Sequence, residues 1–348
     1  DPVGNITTLQ HTVIGDTAHS WTRHYTYACD NPAQLPASNR LWQTWMGDDL
    51  LHATTYQHDT HGNMLNLANT DPGFYMRWDH RDMIAGIDLG GGGTAYYQYD
   101  AGKQRTRKRI VNQNGLGGYW ERIYLGGYEL YRRRNAQGAV LEEIETHHLF
   151  EGEQRVLLVD DVLVTSSTVQ TLFRYQYSNH LGSVCLELDA QAGIISYEEY
   201  HPYGTSAYRA LKSAIEAPPK RYRYTGMERD EESGLNYHTA RYYAPWLGRW
   251  VSCDPVGLTD GGNLYCYCAN NSIDSVDPTG GYGESASLLN DVPDTEPKTF
   301  LNPENHGGAL LNDRLVPSED DPNADVLYHE SDSTHDKVSD IEFSGAEV

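Results

Sequence analysis

Short runs of alternating apolar and polar residues follow one another along the first two thirds of the chain. The clearest run, Tyr97-Gln-Tyr-Asp-Ala-Gly, has two aromatic residues one position apart, then an Asp and a Gly. Alternate residues of a strand point to the same face, so the two aromatic residues share one face. Asp and Gly favour a tight turn because Asp bonds to nearby backbone and Gly accepts positive φ. The pattern predicts a strand, a turn and a second strand that returns beside the first.

This unit recurs at irregular intervals, which indicates a repeat array. Looser copies begin at Asp1, Tyr25, Tyr56, Met76, Arg174 and Arg221. A single hairpin cannot bury its apolar face, whereas neighbouring hairpins bury it by lying side by side. The irregular spacing favours one continuous, curving sheet over uniform propeller blades. Residues 1–225 are therefore predicted to be mostly antiparallel strand.

Two segments depart from this pattern. In residues 207–216 apolar residues recur at helical spacing before Pro218, which predicts a short helix. Residues 226–280 hold denser aromatic motifs and two Asp-Pro-x-Gly sequences, which begin at Asp254 and Asp277. Pro fixes φ and Gly accepts positive φ, so taken alone this motif is an ordinary turn.

Composition supports a strand-rich chain and separates its C-terminal part by charge. The chain has 26 Tyr and 33 Gly but only five Phe, which suits short strands with tight turns. The net charge is −23, and residues 281–348 alone hold 16 acidic and three basic residues. This tail has too few apolar residues to offset its ordering entropy, so we expect it to be disordered.

Charge, hydropathy and cysteine spacing argue against nucleic-acid, membrane-spanning and metal-binding roles. The acidic balance disfavours nucleic-acid binding, because phosphate contacts need clustered Lys and Arg. No apolar run approaches the length of a membrane span, so none is predicted. Neither a disulfide framework nor a zinc-site spacing is present, so no metal and no cofactor is predicted. The cysteines are Cys29, Cys185, Cys253, Cys266 and Cys268.

Three further segments have a chemical and a structural interpretation. His180 and Ser183 lack a Gly-x-Ser-x-Gly elbow, and their surroundings predict a hairpin turn rather than a nucleophile. Residues 90–93 lack the Lys of a phosphate-binding loop, so a flexible glycine loop is predicted. The basic run at residues 103–109 is predicted to be a solvated ladder or a partner for acidic neighbours.

Longer motifs in the second half of the chain resemble a known family. They are Asn179-His-Leu-Gly-Ser183, Tyr200-His-Pro-Tyr-Gly204, Tyr224-Thr-Gly226, Ala240-Arg241-Tyr-Tyr243, Gly248-Arg249-Trp250 and Asp254-Pro-Val-Gly257. With the aromatic-x-Tyr-Asp repeats, they resemble the Rhs repeat-associated core domain of YD-repeat proteins, in particular the C component of bacterial insecticidal toxin complexes. The resemblance extends over residues 1–280.

The resemblance implies an all-β fold in which an antiparallel YD-repeat sheet spirals into a hollow shell, or cocoon. It implies repeat shell in residues 1–225, a core domain that closes the shell in residues 226–280, and a variable tail in residues 281–348. In this family the tail is cut free and kept inside as cargo. A separate B-type component, or upstream repeats, completes the shell.

The family's self-cleaving site consists of one Arg and two Asp, which fall on Arg241, Asp254 and Asp277. Two carboxylates held close share a proton, so one can activate water while the other donates to the substrate. The family cuts just after the second Asp-Pro-x-Gly motif, commonly next to a Leu. Here that point is Gly280-Gly281-Tyr282, and Gly281 replaces the Leu.

These inferences combine into one predicted function and one alternative. The chain starts at Asp1 rather than Met, so we expect a fragment of a longer protein. We expect a toxin component that is secreted or delivered by an injection system and that releases its tail by aspartic-type autoproteolysis. The alternative is a cell-surface or adhesion scaffold with the same repeats and an uncut tail.

Overall fold

The computed structural model describes residues 1–27, 38–68, 74–111, 117–164, 169–211 and 220–286. All of them belong to one compact unit, Asp1–Asn290. Of the tail 281–348, for which we expected disorder, residues 287–348 lie outside the described residues, as does Cys29. Residues 281–286 are described, and Glu284 and Ser285 pair with Val276 and Ser275, so the expected disorder does not hold there. Within the described ranges, no helix has the length and apolar character that crossing a bilayer requires.

Antiparallel strands dominate the described chain, as the alternating pattern predicts. A first sheet takes its strands in chain order: β1 (Thr8–Val13), β2 (Asp16–Tyr27), β3 (Leu41–Met46) and β4 (Thr54–Thr55). A larger sheet joins twelve described strands, each antiparallel to the next along the chain: β5 (Met76–Trp78), β6 (Ile84–Asp88), β7 (Thr94–Tyr99), β8 (Arg105–Val111), β9 (Tyr119–Leu125), β10 (Tyr128–Arg134), β11 (Val140–Glu151), β12 (Gln154–Val164), β13 (Val169–Ser178), β14 (Val184–Leu188), β15 (Ile194–Tyr200) and β16 (Ser206–Leu211). The predicted all-β, antiparallel fold class is therefore confirmed.

The C-terminal part of the described chain forms smaller pieces. A third sheet contains β17 (Glu228–Asp230), β18 (Leu235–His238), β19 (Arg241–Ala244) and β20 (Arg249–Trp250), and a short hairpin pairs β21 (Ser275–Val276) with β22 (Glu284–Ser285). Short 3-10 turns lie at Leu50–His52, Gly90–Gly92, Tyr224–Gly226, Gly257–Asp260 and Cys268–Asn270.

Several repeat turns are closed by the side chain of the Asp or Asn at which the turn begins. After β7, the Asp100 carboxylate accepts the Gln104 N–H at 2.9 Å, and the Asp100 N–H donates to the Gln104 carbonyl at 2.9 Å. The same bond from side-chain oxygen to the N–H four residues later starts at Asp1, Asp59, Asp79, Asn135, Asn179 and Asp189. The Asx residue therefore sets where each strand ends and the next begins.

The third sheet packs against the repeat strands through a shared apolar core. Tyr242 and Leu247 from the C-terminal part lie in one buried cluster with Ile84, Ile87 and Tyr97 from the repeat sheet. The Tyr99 hydroxyl also lies 2.8 Å from the Tyr242 hydroxyl. Because the cluster is continuous, β18 and β19 are held against the repeat strands.

A buried ionic layer adds to this contact. Arg105 and Lys108 of β8 each approach Asp230 of β17 to 2.7 Å, and Arg105 lies 2.5 Å from Glu228. All four side chains are almost fully buried. The solvated-ladder interpretation of residues 103–109 is therefore wrong for Arg105 and Lys108, and the alternative, acidic neighbours, describes them. Packing of a distant segment buries these charges, which no local pattern encodes.

Two other local predictions had different outcomes. The helix over residues 207–216 is wrong where the structure describes it, because strand β16 runs to Leu211 and pairs Tyr208 with Glu199 and Ala210 with Tyr197. Residues 212–216 lie outside the described residues. The turn at His180 is confirmed: it joins β13 to β14, and Asn179 accepts the N–H of Leu181 at 3.0 Å.

Candidate active site

Arg241 enters the site from a tight turn between two short strands. β18 ends at His238, Thr239 adopts a positive φ of 57°, and β19 begins at Arg241. The Arg241 side chain is buried, and its guanidinium carbon lies 4.1 Å from the ring centre of Trp250. Stacking on this ring restricts where the guanidinium can point.

The two acidic residues come from the two Asp-Pro-x-Gly turns. Asp254 follows β20, and its carboxylate accepts the Val256 N–H at 2.9 Å. The Asp254 N–H donates to the Leu264 carbonyl at 2.9 Å, which aligns the turn with the returning chain. Asp277 follows β21 and is 1% exposed. Both motifs thus form turns, as the local interpretation predicts, but their carboxylates have further contacts.

Both carboxylates contact the same nitrogen of Arg241. Arg241 Nη2 is 2.9 Å from Asp254 Oδ2 and 3.2 Å from Asp277 Oδ2. The structure therefore brings together the three residues singled out from the sequence. A guanidinium between two carboxylates offsets their mutual repulsion and allows both to stay within reach of one substrate group.

The Gly280–Gly281 peptide, at the end of the second Asp-Pro-x-Gly motif, is hydrogen-bonded at its carbonyl and at its N–H. Arg241 Nε donates to the Gly280 carbonyl oxygen at 2.7 Å. Asp277 Oδ1 accepts the Gly280 N–H at 2.8 Å and the Gly281 N–H at 3.1 Å. The carbonyl and the N–H of the Gly280–Gly281 peptide are therefore held by Arg241 and Asp277, respectively.

Gly280 is required by the space available as well as by its backbone angle. Its φ is +71°, and a Cβ atom there would lie 2.5 Å from the His238 carbonyl oxygen and 2.8 Å from the Arg241 nitrogen. At Gly281 a Cβ atom would meet its nearest neighbour, Thr279 Oγ1, at 3.6 Å. Position 281 thus accepts a side chain at Cβ, and position 280 does not. Tyr282, the last of the predicted cleavage-site residues, is 49% exposed.

Burial sets the protonation states in the site. Burial raises the pKa of Asp277 above its usual range, while Arg241 and the N–H groups of Gly281 and Gly280 oppose that shift. Burial lowers the pKa of His238 to about 4, and its Nδ1 lies 2.6 Å from the Asp277 carbonyl oxygen. The raised pKa of Asp277 is the property that an acid in a carboxylate pair needs.

Sequence reasoning missed His238 and Trp250 as parts of this site. Trp250 ends one of the motifs that carry the resemblance and His238 lies two residues before another, but an isolated His or Trp in an alternating strand pattern has an ordinary packing role. In the described part of the chain, His, Cys, Asp and Glu side chains form no group of three that could hold a metal ion.

Comparisons with known proteins point to one family, although no protein-family model matches the chain. The toxin subunit YenC1 of Yersinia entomophaga is 32% identical over 300 residues, which are 80% of this chain and 28% of YenC1. RhsB of Dickeya dadantii, described as a probable deoxyribonuclease, is 28% identical over 250 residues, which are 70% of this chain and 16% of RhsB. The match to the crystal structure of TcdB2-TccC3 covers 80% of this chain and 13% of the chain in that structure, with 30% identity and a TM-score of 0.67.

The chain thus spans less than a third of the length of these relatives. Sequence repeats, sheet topology and relatives agree. The chain is an Rhs/YD-repeat protein that resembles the C component of insecticidal toxin complexes.

Proposed function

We propose that this chain is part of a toxin component that cuts its own backbone between Gly280 and Gly281 and so releases its C-terminal segment. The observation that carries the proposal is that this peptide is hydrogen-bonded at both of its polar groups. Arg241 Nε donates to its carbonyl oxygen at 2.7 Å, and Asp277 Oδ1 accepts its N–H at 3.1 Å. A tethered peptide needs no capture from solution, so its placement beside the catalytic groups already supplies much of the rate.

In the proposed mechanism, Asp254 is the base and Asp277 is the acid. The Asp254 side chain is 6% exposed, against 2% for Asp277, and its contact with Arg241 favours the ionised form. Asp254 removes a proton from water, and the hydroxide adds to the Gly280 carbonyl carbon. Arg241 Nε stabilises the negative charge that develops on the carbonyl oxygen.

Collapse of this intermediate completes the hydrolysis. The Gly281 nitrogen becomes basic as the carbon turns tetrahedral, and Asp277 delivers a proton to it. The bond between the Gly280 carbon and the Gly281 nitrogen breaks, leaving a carboxyl group on Gly280 and an amine on Gly281. Transfer of the proton from Asp254 to Asp277 restores the pair, because the two carboxylates share one proton.

The competing interpretation is that Asp277 only closes a turn. Asp100 in the repeat region forms a bond of the same kind to the N–H four residues later. Asp100 is exposed, however, whereas Asp277 is buried and contacts Arg241. A turn needs neither burial nor a guanidinium, so these two features support a chemical role.

We also propose the division of labour that the resemblance implies. Residues 1–225 would supply part of a hollow repeat shell, residues 226–280 the core, and residues 281–348 the released cargo. The TcdB2-TccC3 structure supports a B-type component as the partner that completes the shell. The relatives named as toxin subunits support secretion or delivery by an injection system over a cell-surface scaffold.

Cell-free synthesis of the full chain with an N-terminal tag tests the proposal. We expect a fragment of residues 281–348 to appear with time on a denaturing gel, with Gly281 as its first residue. Asp277→Asn should slow its appearance by roughly 10²–10⁴-fold, the usual contribution of acid–base catalysis.

Asp100→Asn is the matched control, because it changes the same residue type in a turn of the same kind. It should leave the cleavage rate unchanged. A wild-type chain that stays intact would refute the proposal and favour the uncut scaffold. A fragment that begins at Tyr282 would move the scissile bond by one residue and overturn the assignment of Gly280–Gly281.

A further inference from the structure

His238 is the buried titratable group closest to the site that the proposed mechanism does not use. It is 0% exposed, and its Nδ1 lies 2.6 Å from the Asp277 carbonyl oxygen. A carbonyl oxygen only accepts hydrogen bonds, so Nδ1 carries the hydrogen. Nε2 is buried and has no hydrogen-bond partner among the described residues. The ring is therefore neutral, with its hydrogen on Nδ1.

The orientation of the ring is fixed by aromatic neighbours. Its centre lies 5.1 Å from that of Trp250, 5.9 Å from that of Tyr243 and 6.1 Å from that of Tyr267, each in an edge-to-face arrangement. These three side chains are fully buried. Rotation of the imidazole about its Cβ–Cγ bond would collide with this enclosure, so Nδ1 stays directed at Asp277.

The bond from His238 is one of several that attach the Asp277 turn to the β18–β19 turn. The Ala240 N–H donates to the Thr279 carbonyl at 3.0 Å, and Arg241 Nε donates to the Gly280 carbonyl at 2.7 Å. The His238 bond differs from these in holding the main chain of Asp277 itself. It therefore fixes the residue whose carboxylate has to reach both Arg241 and the Gly281 N–H.

We infer that His238 is a positioning residue for self-cleavage, which uses its Nδ1–H to hold the Asp277 carbonyl and so aims the Asp277 carboxylate at the scissile peptide. His238 transfers no proton and touches no reacting atom. This inference rests on the proposed function and names a further residue that the reaction requires. Displacement of a catalytic group by about 1 Å can lower a rate by roughly 10²-fold, which sets the expected effect.

Two amide variants separate a hydrogen-bonding role from a packing role. The side-chain nitrogen of Asn lies at the same distance along the side chain as Nδ1, whereas that of Gln lies where Nε2 does. In cell-free synthesis of the full chain, His238→Asn should cut within about threefold of the wild-type rate, whereas His238→Gln and His238→Ala should cut roughly 10²-fold more slowly. Thermal unfolding of each His238 variant, measured in a chain that also carries Asp277→Asn, reports its stability in the absence of cleavage.

The possible outcomes distinguish failure of the positioning role from failure of the proposed function. Equal rates for the Asn and Gln variants, or a wild-type rate for His238→Ala, would overturn the positioning role while the proposed function stands. Should His238→Ala fail to fold, the comparison of Asn with Gln still decides. An intact wild-type chain that behaves like Asp277→Asn would refute the proposed function and the positioning role together.

Discussion

The turn that follows β7 in the repeat region and the turn that follows β21 in the core are built alike. In each, an Asp carboxylate accepts the N–H of the residue four positions later, at 2.9 Å for Asp100 and 3.1 Å for Asp277. Their surroundings differ. Asp100 is exposed, whereas Asp277 is 1% exposed and 3.2 Å from Arg241 Nη2. The same hydrogen bond thus closes an exposed turn at Asp100 and a buried turn at Asp277, and burial of the Asp277 carboxylate raises its pKa.

Burial of the core turn depends on the contact between the third sheet and the repeat sheet. The ionic layer of Arg105, Lys108, Glu228 and Asp230 lies in this contact. Buried ion pairs add little net stability when intact, but loss of one partner leaves an uncompensated buried charge. Perturbing this layer therefore tests how strongly the core depends on the repeats.

The largest expected effect is on stability. Arg105→Met should lower the free energy of unfolding by about 3–5 kcal/mol, because Glu228 and Asp230 would lose a buried partner. Urea unfolding of the chain with Asp277→Asn in the background measures this change. Arg133→Met, in the exposed pair with Glu142 on repeat strands, is the control and should cost about 0–1 kcal/mol. Equal losses for both variants would show that burial of the layer contributes nothing.

The next effect is on the rate of release. Arg241→Lys keeps the charge but loses the planar fork that reaches two carboxylates and the Gly280 carbonyl at once. We expect release to slow by roughly 10²–10³-fold, the usual effect of removing one donor to a developing oxyanion. Time-resolved gels of cell-free product provide the measurement. Arg107→Lys, on a repeat strand, should release at the wild-type rate, and slowing of both would contradict a specific role for Arg241.

The fold class and the turns could be predicted from the sequence because they follow from local pattern. Alternation gave the strands, and the Asx-Gly sequences gave their ends. The helix expected at residues 207–216 failed because strand pairing of Tyr208 and Ala210 overrides local spacing. Burial of Arg105 and Lys108 was not predictable, since its cause is a segment more than a hundred residues away in sequence.

Only part of the candidate site could be predicted from the sequence. Spacing alone favoured plain turns at Asp254 and Asp277, and the resemblance to a family singled them out with Arg241. No sequence signal indicated that the Gly280–Gly281 peptide is bonded on both sides, because that depends on how two turns meet. His238 was missed for the same reason. Its role comes from one bond to a carbonyl 39 positions away.

Two adjacent glycines of the Asp277 turn differ in the space available for a side chain. Gly280→Ala would place a Cβ atom 2.5 Å from the His238 carbonyl oxygen at a φ of +71°, so it should cost about 1–3 kcal/mol and slow release. Gly281→Ala adds the same methyl group in ordinary van der Waals space and should change stability by less than about 0.5 kcal/mol. Urea unfolding and the gel assay, run on both variants, measure the difference. Equal effects at the two positions would mean that the Asp277 turn is not packed on the β18–β19 turn.

The pH dependence of release isolates the contribution of the buried carboxylate. The folded-state pKa of Asp277 is raised by burial, so its acid form persists to higher pH than in an exposed turn. Above that pKa the protonated fraction falls about tenfold for each pH unit, and release should slow by the same factor. His238, with a pKa near 4, stays neutral across this range, and Arg241 stays charged, so neither accounts for the change. Release rates from pH 5 to pH 8, with tryptophan fluorescence as the control for folding, measure it. A rate that rises with pH would assign the acid step to a group other than Asp277, and the core turn would then differ from the repeat turns in burial alone.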